Sequence, residues 1–367
     1  MTEAEKQYID LYTEASEAIK EHSAEVMNAV RDRAFEDFRR QGFPTRKVER
    51  YKYTDMEKIF APNYGLNINR IEFPVDPYAA FRCDVPNLST LLYFVVNDAF
   101  YEKRLPNVQP EEGVVIGSLR KAAEEHPELI ARYYARIAKT EEDAITALNT
   151  MLAQDGLFIY VPKNVQMEKC VQIINILRAD VSMMVNRRVL IVMEEGANAK
   201  FLFCDHAADD QQFLATQVIE AYVGDNASLD LYCMEETHYK NHRVSNVYIE
   251  QQRDSRVNHN VITLHNGVTR NRLDLVFKGE GAECYCSGCV IADRKQHVDN
   301  NTLIDHQVPH CTSNECSTTR RWVLSLDASS YATEHRRPPR RRPTRISWPR
   351  RRQGCTHSRC WKSMPTT

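Results

Sequence analysis

The chain has 367 residues, 43% of them hydrophobic, a mean hydropathy of −0.52 and a formal charge of −2. That length allows two domains or one long one, and no apolar run approaches transmembrane length, which excludes a helical membrane protein. Eleven scattered cysteines, an odd count, argue against a disulfide framework, and the acidic, amphipathic start Met1–Lys6 has no basic-then-apolar leader, so a cytoplasmic location is expected.

Residues 4 to about 40 predict a helix, because Tyr8, Leu11, Ala15, Ile19, Val26 and Val30 recur at helical spacing with charges on the other face. Gly42-Phe43-Pro44 stops it. Next comes Arg46-Lys47-Val48-Glu49-Arg50-Tyr51-Lys52-Tyr53-Thr54-Asp55. Basic residues interleaved with tyrosines could form a nucleic-acid surface, but the segment is short and contains Glu49 and Asp55, which favours a packed, salt-bridged turn. Residues 56–115 suggest a small α+β region, and 118–154 return to helix, interrupted near Pro127. From Leu157 to about Asp293 the pattern is β, with strands around 157–161, 171–176, 188–194, 199–204, 214–222, 228–233, 244–250, 256–264, 271–277 and 282–291. No Gly-rich phosphate loop opening a helix is present, so a nucleotide-binding fold is not supported.

The strands follow a ladder of turns. Gly196-Ala197-Asn198-Ala199, Gly224-Asp225-Asn226-Ala227 and Gly279-Glu280-Gly281-Ala282 each precede a strand, and Gln252-Arg253-Asp254-Ser255 fills the rung missing between the last two. Gly, Asn and Asp tolerate positive φ. Such a turn before alternating side chains at a spacing near 28 residues fits a β-solenoid, in which each coil covers the apolar face of the one before. An antiparallel sandwich with similar hairpins is the alternative.

Two groupings could carry chemistry. Cys284-x-Cys286-x-x-Cys289 has soft-metal character, yet Cys284 and Cys286 share one strand face while Cys289 points elsewhere, and small buried core thiols explain the first two as well. Gln296-His297-Val298-Asp299-Asn300, Asp305-His306 and His310-Cys311 form the second. Acid–base or metal chemistry is open to it, but polar residues satisfying backbone groups at a solenoid corner are favoured. His238, His242, His259 and His265 are dispersed and read as surface or corner residues. No hydrolase or zinc-protease motif appears, so no enzyme is expected.

Two stretches resemble the SufB/SufD family, and its SufD branch in particular. Arg46, Lys47, Glu49, Lys52, Tyr53 and Thr54 match an R-K-x-E-x-W-K-Y-T segment, with Tyr51 where Trp is usual. Gln296, His297, Asp299, Asn300, Asp305 and His306, followed by His310-Cys311, match a signature near the end of the family's β-helix. The resemblance covers roughly residues 1–315. It implies a non-enzymatic scaffold with a helical N-terminal region (1–155) and a right-handed parallel β-helix (156–315). It further implies pairing with a SufB-like paralogue and docking of a SufC-like ATPase, with the iron–sulfur cluster assembled by the complex. No cofactor is assigned to the chain itself, and the three cysteines of 284–289 lie outside the pattern.

The family's C-terminal Ser-His-Gly-Ala-Thr segment is absent. Instead, Thr318–Thr367 holds twelve Arg and one Lys against Asp327 and Glu334, a charge of +11 that leaves −13 for the remainder. A nucleic-acid-binding arm is one reading, but nearly pure Arg with all three tryptophans, Cys355, Cys360 and many prolines fits out-of-frame translation better. Joining each codon's third base to the next two, one shifted frame can spell V-G-A-F-A-G-R-V-L-V-R from Arg321, Q-K-T-A-S from His335 and M-Y-T-Q-P-M-L-E-I-Y-A-D-D from Gly354, in the family's order. Residues 316–367 are therefore expected to be a frameshifted, poorly packed end. A secreted β-helix acting on polysaccharide is the rival from another class; it calls for a carboxylate-lined groove that the sequence does not show.

Overall fold

Two parallel sheets face each other along a solenoid, and a helical layer packs on the outside of one. The computed structural model describes residues 1–80, 90–293, 295–322 and 330–336. Helix α1 (Glu3–Glu21) begins with a reciprocal cap: the Thr2 hydroxyl accepts the Glu5 amide, and the Glu5 carboxylate accepts the Thr2 amide at 2.6 Å. The single helix expected over 4–40 is instead α1, α2 (Glu25–Asn28) and α3 (Arg31–Gln41). The break lets the fully buried Arg31 donate to the carbonyls of Met151 and Ala153 at 2.8 and 2.9 Å. Those carbonyls end a later helix and would otherwise lack donors. After α4 (Met56–Phe60) and α5 (Pro77–Ala80) come β1 (Thr90–Val96), β2 (Ala99–Phe100) and β3 (Val115–Ser118). The helical stretch broken at Pro127 is α6 (Leu119–Glu125), α7 (Pro127–Tyr133) and α8 (Ala144–Leu152).

The solenoid runs through β4 (Leu157–Val161), β5 (Cys170–Leu177), β6 (Met183–Met193), β7 (Asn198–Ala207), β8 (Phe213–Val223), β9 (Ser228–Glu236), β10 (His242–Gln251), β11 (Arg256–His265), β12 (Val268–Phe277), β13 (Glu283–Asp293), β14 (His297–His306), β15 (Thr312–Trp322) and β16 (Ser330–Arg336). Strands alternate between an odd sheet, β15-β13-β11-β9-β7-β5-β1-β2, and an even sheet, β16-β14-β12-β10-β8-β6-β4-β3. All pairings are parallel except β1–β2 and β3–β4, where the N-terminal region adds a strand to each sheet. The mainly β solenoid with a helical N-terminal region is as expected.

Side chains alternate in and out. Inward columns such as Val189, Ile219, Val247 and Leu273 meet Phe201, Leu231 and Val257 of the opposite sheet in one apolar core. The turn ladder is real and longer than the repeat suggests. One residue per coil takes positive φ: Asn164 (62°), Gly196 (68°), Asn226 (57°), Asp254 (54°), Gly281 (76°) and His310 (60°). Gly, Asn, Asp and His are the types that tolerate this region. Successive corners hydrogen-bond along the axis, Gly196 N to Asp225 O at 2.8 Å and Asn226 N to Arg253 O at 2.8 Å.

The β pattern does not stop at Asp293. Residues 297–306, expected as polar corner coil, form β14, and the strand character of β15 carries through the expected boundary at 315 to Trp322. The signal was hidden because β14 is polar on both faces. Its outer residues meet the N-terminal region, and its inner ones meet a polar stretch of the lumen. Of the basic end, 323–329 and 337–367 lie outside the described residues.

Candidate functional site

The two motif segments, more than 240 residues apart in sequence, meet on the outer face of the even sheet. Thr54 donates to Asp299 Oδ2 at 2.6 Å and lies 3.2 Å from His297 Nε2. Arg270, fully buried, points its Nε toward the same Asp299 oxygen at 3.6 Å, donates to the Arg50 carbonyl, and sits over the Tyr51 ring with 4.0 Å between Cζ and centroid. Tyr51 thus uses its aromatic face where the family pattern has Trp.

Below it lies Asp143, the N-cap of α8, which accepts the Thr146 amide at 2.9 Å, Arg272 Nη1 at 2.7 Å, Asn246 Nδ2 at 2.9 Å and the Tyr51 hydroxyl. Burial alone would raise its carboxyl, but Arg272, the Tyr51 hydroxyl and the Thr146 amide outweigh it and hold Asp143 below its ordinary value. Burial, then the Asp143 charge, pushes the Tyr51 phenol well up. Arg272 also forks onto Asp274. One coil further on, Arg188 pairs with Glu220, and Glu220 takes the four amides of Ala135 to Ala138. The seam is a saturated, dry ion network that fastens the helical layer to the solenoid.

The remaining motif residues divide. Arg46, Lys47, Glu49, Lys52 and Tyr53 are exposed, joined by ion pairs of 3.9 Å (Arg46–Asp55) and 3.8 Å (Lys52–Glu49) that contribute little at such exposure. Gln296 is buried beside the seam. Asn300 points inward and accepts from Asn271 at 2.8 Å. His306 lies edge-on to Phe277 and 3.0 Å from the Ser313 hydroxyl, while Asp305 accepts from Gln307.

Cys284 and Cys286 are buried on the inner face, their sulfurs 3.2 Å apart, and Cys289 points outward. Cys311 is a buried corner thiol directed at the Gly279 and Pro309 carbonyls, and the neighbouring His310 is exposed on its turn. Among the described residues no three His, Cys, Asp or Glu side chains form a group that could hold a metal ion.

Sequence reasoning missed a second polar network, inside the solenoid. Asp205 receives Arg187 at 2.6 Å, Arg243 at 2.9 Å and Asn175 at 2.8 Å. Glu235 stands 3.9 Å from Arg243 and accepts from Thr269 at 2.7 Å. Because Arg243 is committed to Asp205, burial dominates and raises Glu235 to about 7. His259, expected at a surface or corner, is instead 3% exposed in the middle of β11. A signal existed: adjacent Arg187-Arg188 within an apolar strand must face opposite sides, so each needs its own buried acid.

The comparisons agree with this geometry. Residues 2–173 match the SufBD protein N-terminal region, and residues 175–319 match the SufBD core domain of SUF-system FeS cluster assembly. Among curated relatives, the chain is 26% identical over 267 residues to the iron–sulfur cluster assembly protein SufD of Bacillus subtilis, covering 71% of this chain and 59% of that protein. It is 32% identical over 124 residues to a SufBD family protein of Synechocystis, covering 32% of this chain and 25% of that one. To a chloroplastic SufBD family protein of Arabidopsis thaliana it is 32% identical over 122 residues, covering 32% and 21%. This chain therefore spans less than two thirds of the length of each. With two matches of one family running almost without a gap across both sides of the seam, the chain belongs to the SufBD family of iron–sulfur cluster assembly proteins.

Proposed function

We propose that the chain serves as a SufD-like, non-catalytic scaffold in cytoplasmic iron–sulfur cluster assembly, pairing with a SufB-like paralogue and docking a SufC-like ATPase. The observation that carries this reading is the junction of the two family motifs through Thr54, His297 and Asp299. There the polar residues that could have served as an acid–base centre are committed to fastening two regions together. Charges spent on rigid attachment are what a scaffold needs. No helix among the described residues is long and apolar enough to cross a membrane.

The basic end qualifies the proposal. The family match stops at residue 319, inside the stretch where the shifted reading begins. A chain whose frame changes there lacks the segment through which the family resemblance implies docking of the ATPase. Its assembly is therefore impaired, and the Arg-rich end is not a nucleic-acid site.

Co-expression with the organism's SufB-like and SufC-like proteins tests both statements. The chain with its frame restored co-elutes with both partners, whereas the chain as given does so weakly or not at all. If the restored chain elutes alone, the scaffold reading fails. If the nucleotide sequence beyond codon 311 holds no open shifted frame, the frameshift fails by itself.

A further inference from the structure

The inner face of the odd sheet changes chemistry along its axis. At one register position the residues from β7 to β15 are Phe201, Leu231, His259, Cys286 and Glu315. Adjacent strands stand about 4.8 Å apart, so His259 and Cys286, direct partners, can reach a common small ligand. Both line a cavity of about 40 Å³ inside the solenoid, with Cys233 on the wall.

The His259 ring is fully enclosed, and its Nε2 has no hydrogen-bond partner. An orphaned buried nitrogen is costly and points to something that satisfies it. Burial and then the Arg243 charge lower this histidine to about 4, so its lone pair is free at neutral pH. Cys286 is 6% exposed, with the Cys284 sulfur 3.2 Å away.

Charge selects among ligands. The donors do not form a three-ligand metal group, which disfavours tetrahedral zinc. A divalent ion on one thiolate and one neutral imidazole would also bury a net positive charge near Arg243. A monovalent soft ion on the same pair is neutral, and thiolate with imidazole suits Cu(I). We infer that the lumenal cavity binds one monovalent soft metal ion of the Cu(I) class between His259 Nε2 and Cys286 Sγ, with Cys284 alongside. Binding breaks the Cys286 S–H bond, forms S–Cu and N–Cu bonds and releases one proton to solvent, with no change of oxidation state. The inference stands apart from the scaffold reading, since it rests on the lumen alone.

The test is anaerobic titration of the purified full chain with Cu(I) against a chromophoric Cu(I) chelator, with X-ray absorption at one equivalent. Expected are a first equivalent bound with nitrogen and sulfur at the metal, at least tenfold weaker binding in His259→Gln and Cys286→Ser, and unchanged binding in the outward-facing controls Cys289→Ser and Cys316→Ser. An all-sulfur spectrum, equal affinity in the two lumen variants, loss in the controls, or no retained ion overturns the proposal. The spectrum of the unsubstituted chain decides even if a lumen variant fails to fold.

Discussion

Replacing Asp143 by Asn should test whether the seam holds the two regions together. The substitution keeps size and oxygen acceptor, so the N-cap on α8 survives at near full value, because Asn caps about as well as Asp. What it removes is the negative charge facing Arg272 at 2.7 Å, where both side chains are about 1% exposed. Leaving a buried partner uncompensated costs about 3–5 kcal/mol, and Arg272 keeps Asp274, so the lower end, about 3 kcal/mol, applies. With a urea dependence of about 3 kcal/mol per molar for a chain of this size, the midpoint should fall by roughly 1 M, read by far-ultraviolet circular dichroism. A cycle with Arg272→Met should show coupling of about 2 kcal/mol. The sign with pH also follows. Asp143 lies below its ordinary value in the fold, so its contribution is full above about pH 4 and fades as pH falls further; the Asn variant should lose less stability there. A cost under about 1 kcal/mol, or single effects that add within about 0.5 kcal/mol, would refute the reasoning.

Thr54→Val leaves Asp299 without its 2.6 Å donor and should cost about 1–3 kcal/mol in the same urea experiment; a neutral result would mean the two motifs touch without mutual support. Gly279→Ala would place a Cβ 2.0 Å from the Arg253 backbone nitrogen and should cost at least about 2 kcal/mol, whereas Gly117→Ala meets nothing within 4 Å and should stay within about 0.5 kcal/mol. Inside the lumen, two groups titrate with opposite signs. Glu235, raised to about 7, makes stability fall as pH rises from its unfolded value near 4.5 to 7, while His259, lowered to about 4, makes it rise between 4 and 6.5. Chemical denaturation at several pH values should therefore give a steeper rise with pH in Glu235→Gln and a fall in His259→Gln; matching slopes in both variants would dismiss the lumen electrostatics.

The turn ladder was legible because a corner needing positive φ leaves its mark in Gly, Asn or Asp. Asp254 could be placed in the gap between Asn226 and Gly281 before any coordinates. Strand β14 was not legible, because its outer Asp299 and inner Asn300 are both polar and alternation vanishes when each face has a polar partner. Resemblance found both motifs yet could not show that Thr54 touches Asp299, since contact across 245 positions is a property of the coiled path and not of either segment. The long helix predicted over 4–40 failed for a related reason. Arg31 fits the charged face of a periodic helix, but its guanidinium serves carbonyls 120 residues away. Periodicity sees which side of a helix is wet, and not which buried acceptor waits on the other side.

These observations separate folding from assembly in one chain. Asp143, Arg270, Arg272 and Asp299 all precede the point where the reading frame is proposed to change, and they saturate one another within residues that the family matches cover. Attachment of the helical layer therefore does not depend on the basic end. Strand β14, which carries Asp299, takes its parallel neighbour on one side from β12, also within the matched region. A change of frame after residue 319 would spare the seam and alter only the coils beyond it. The lesion would then fall on whatever those coils contact, and the protein would be defective as a partner before it was defective as a fold.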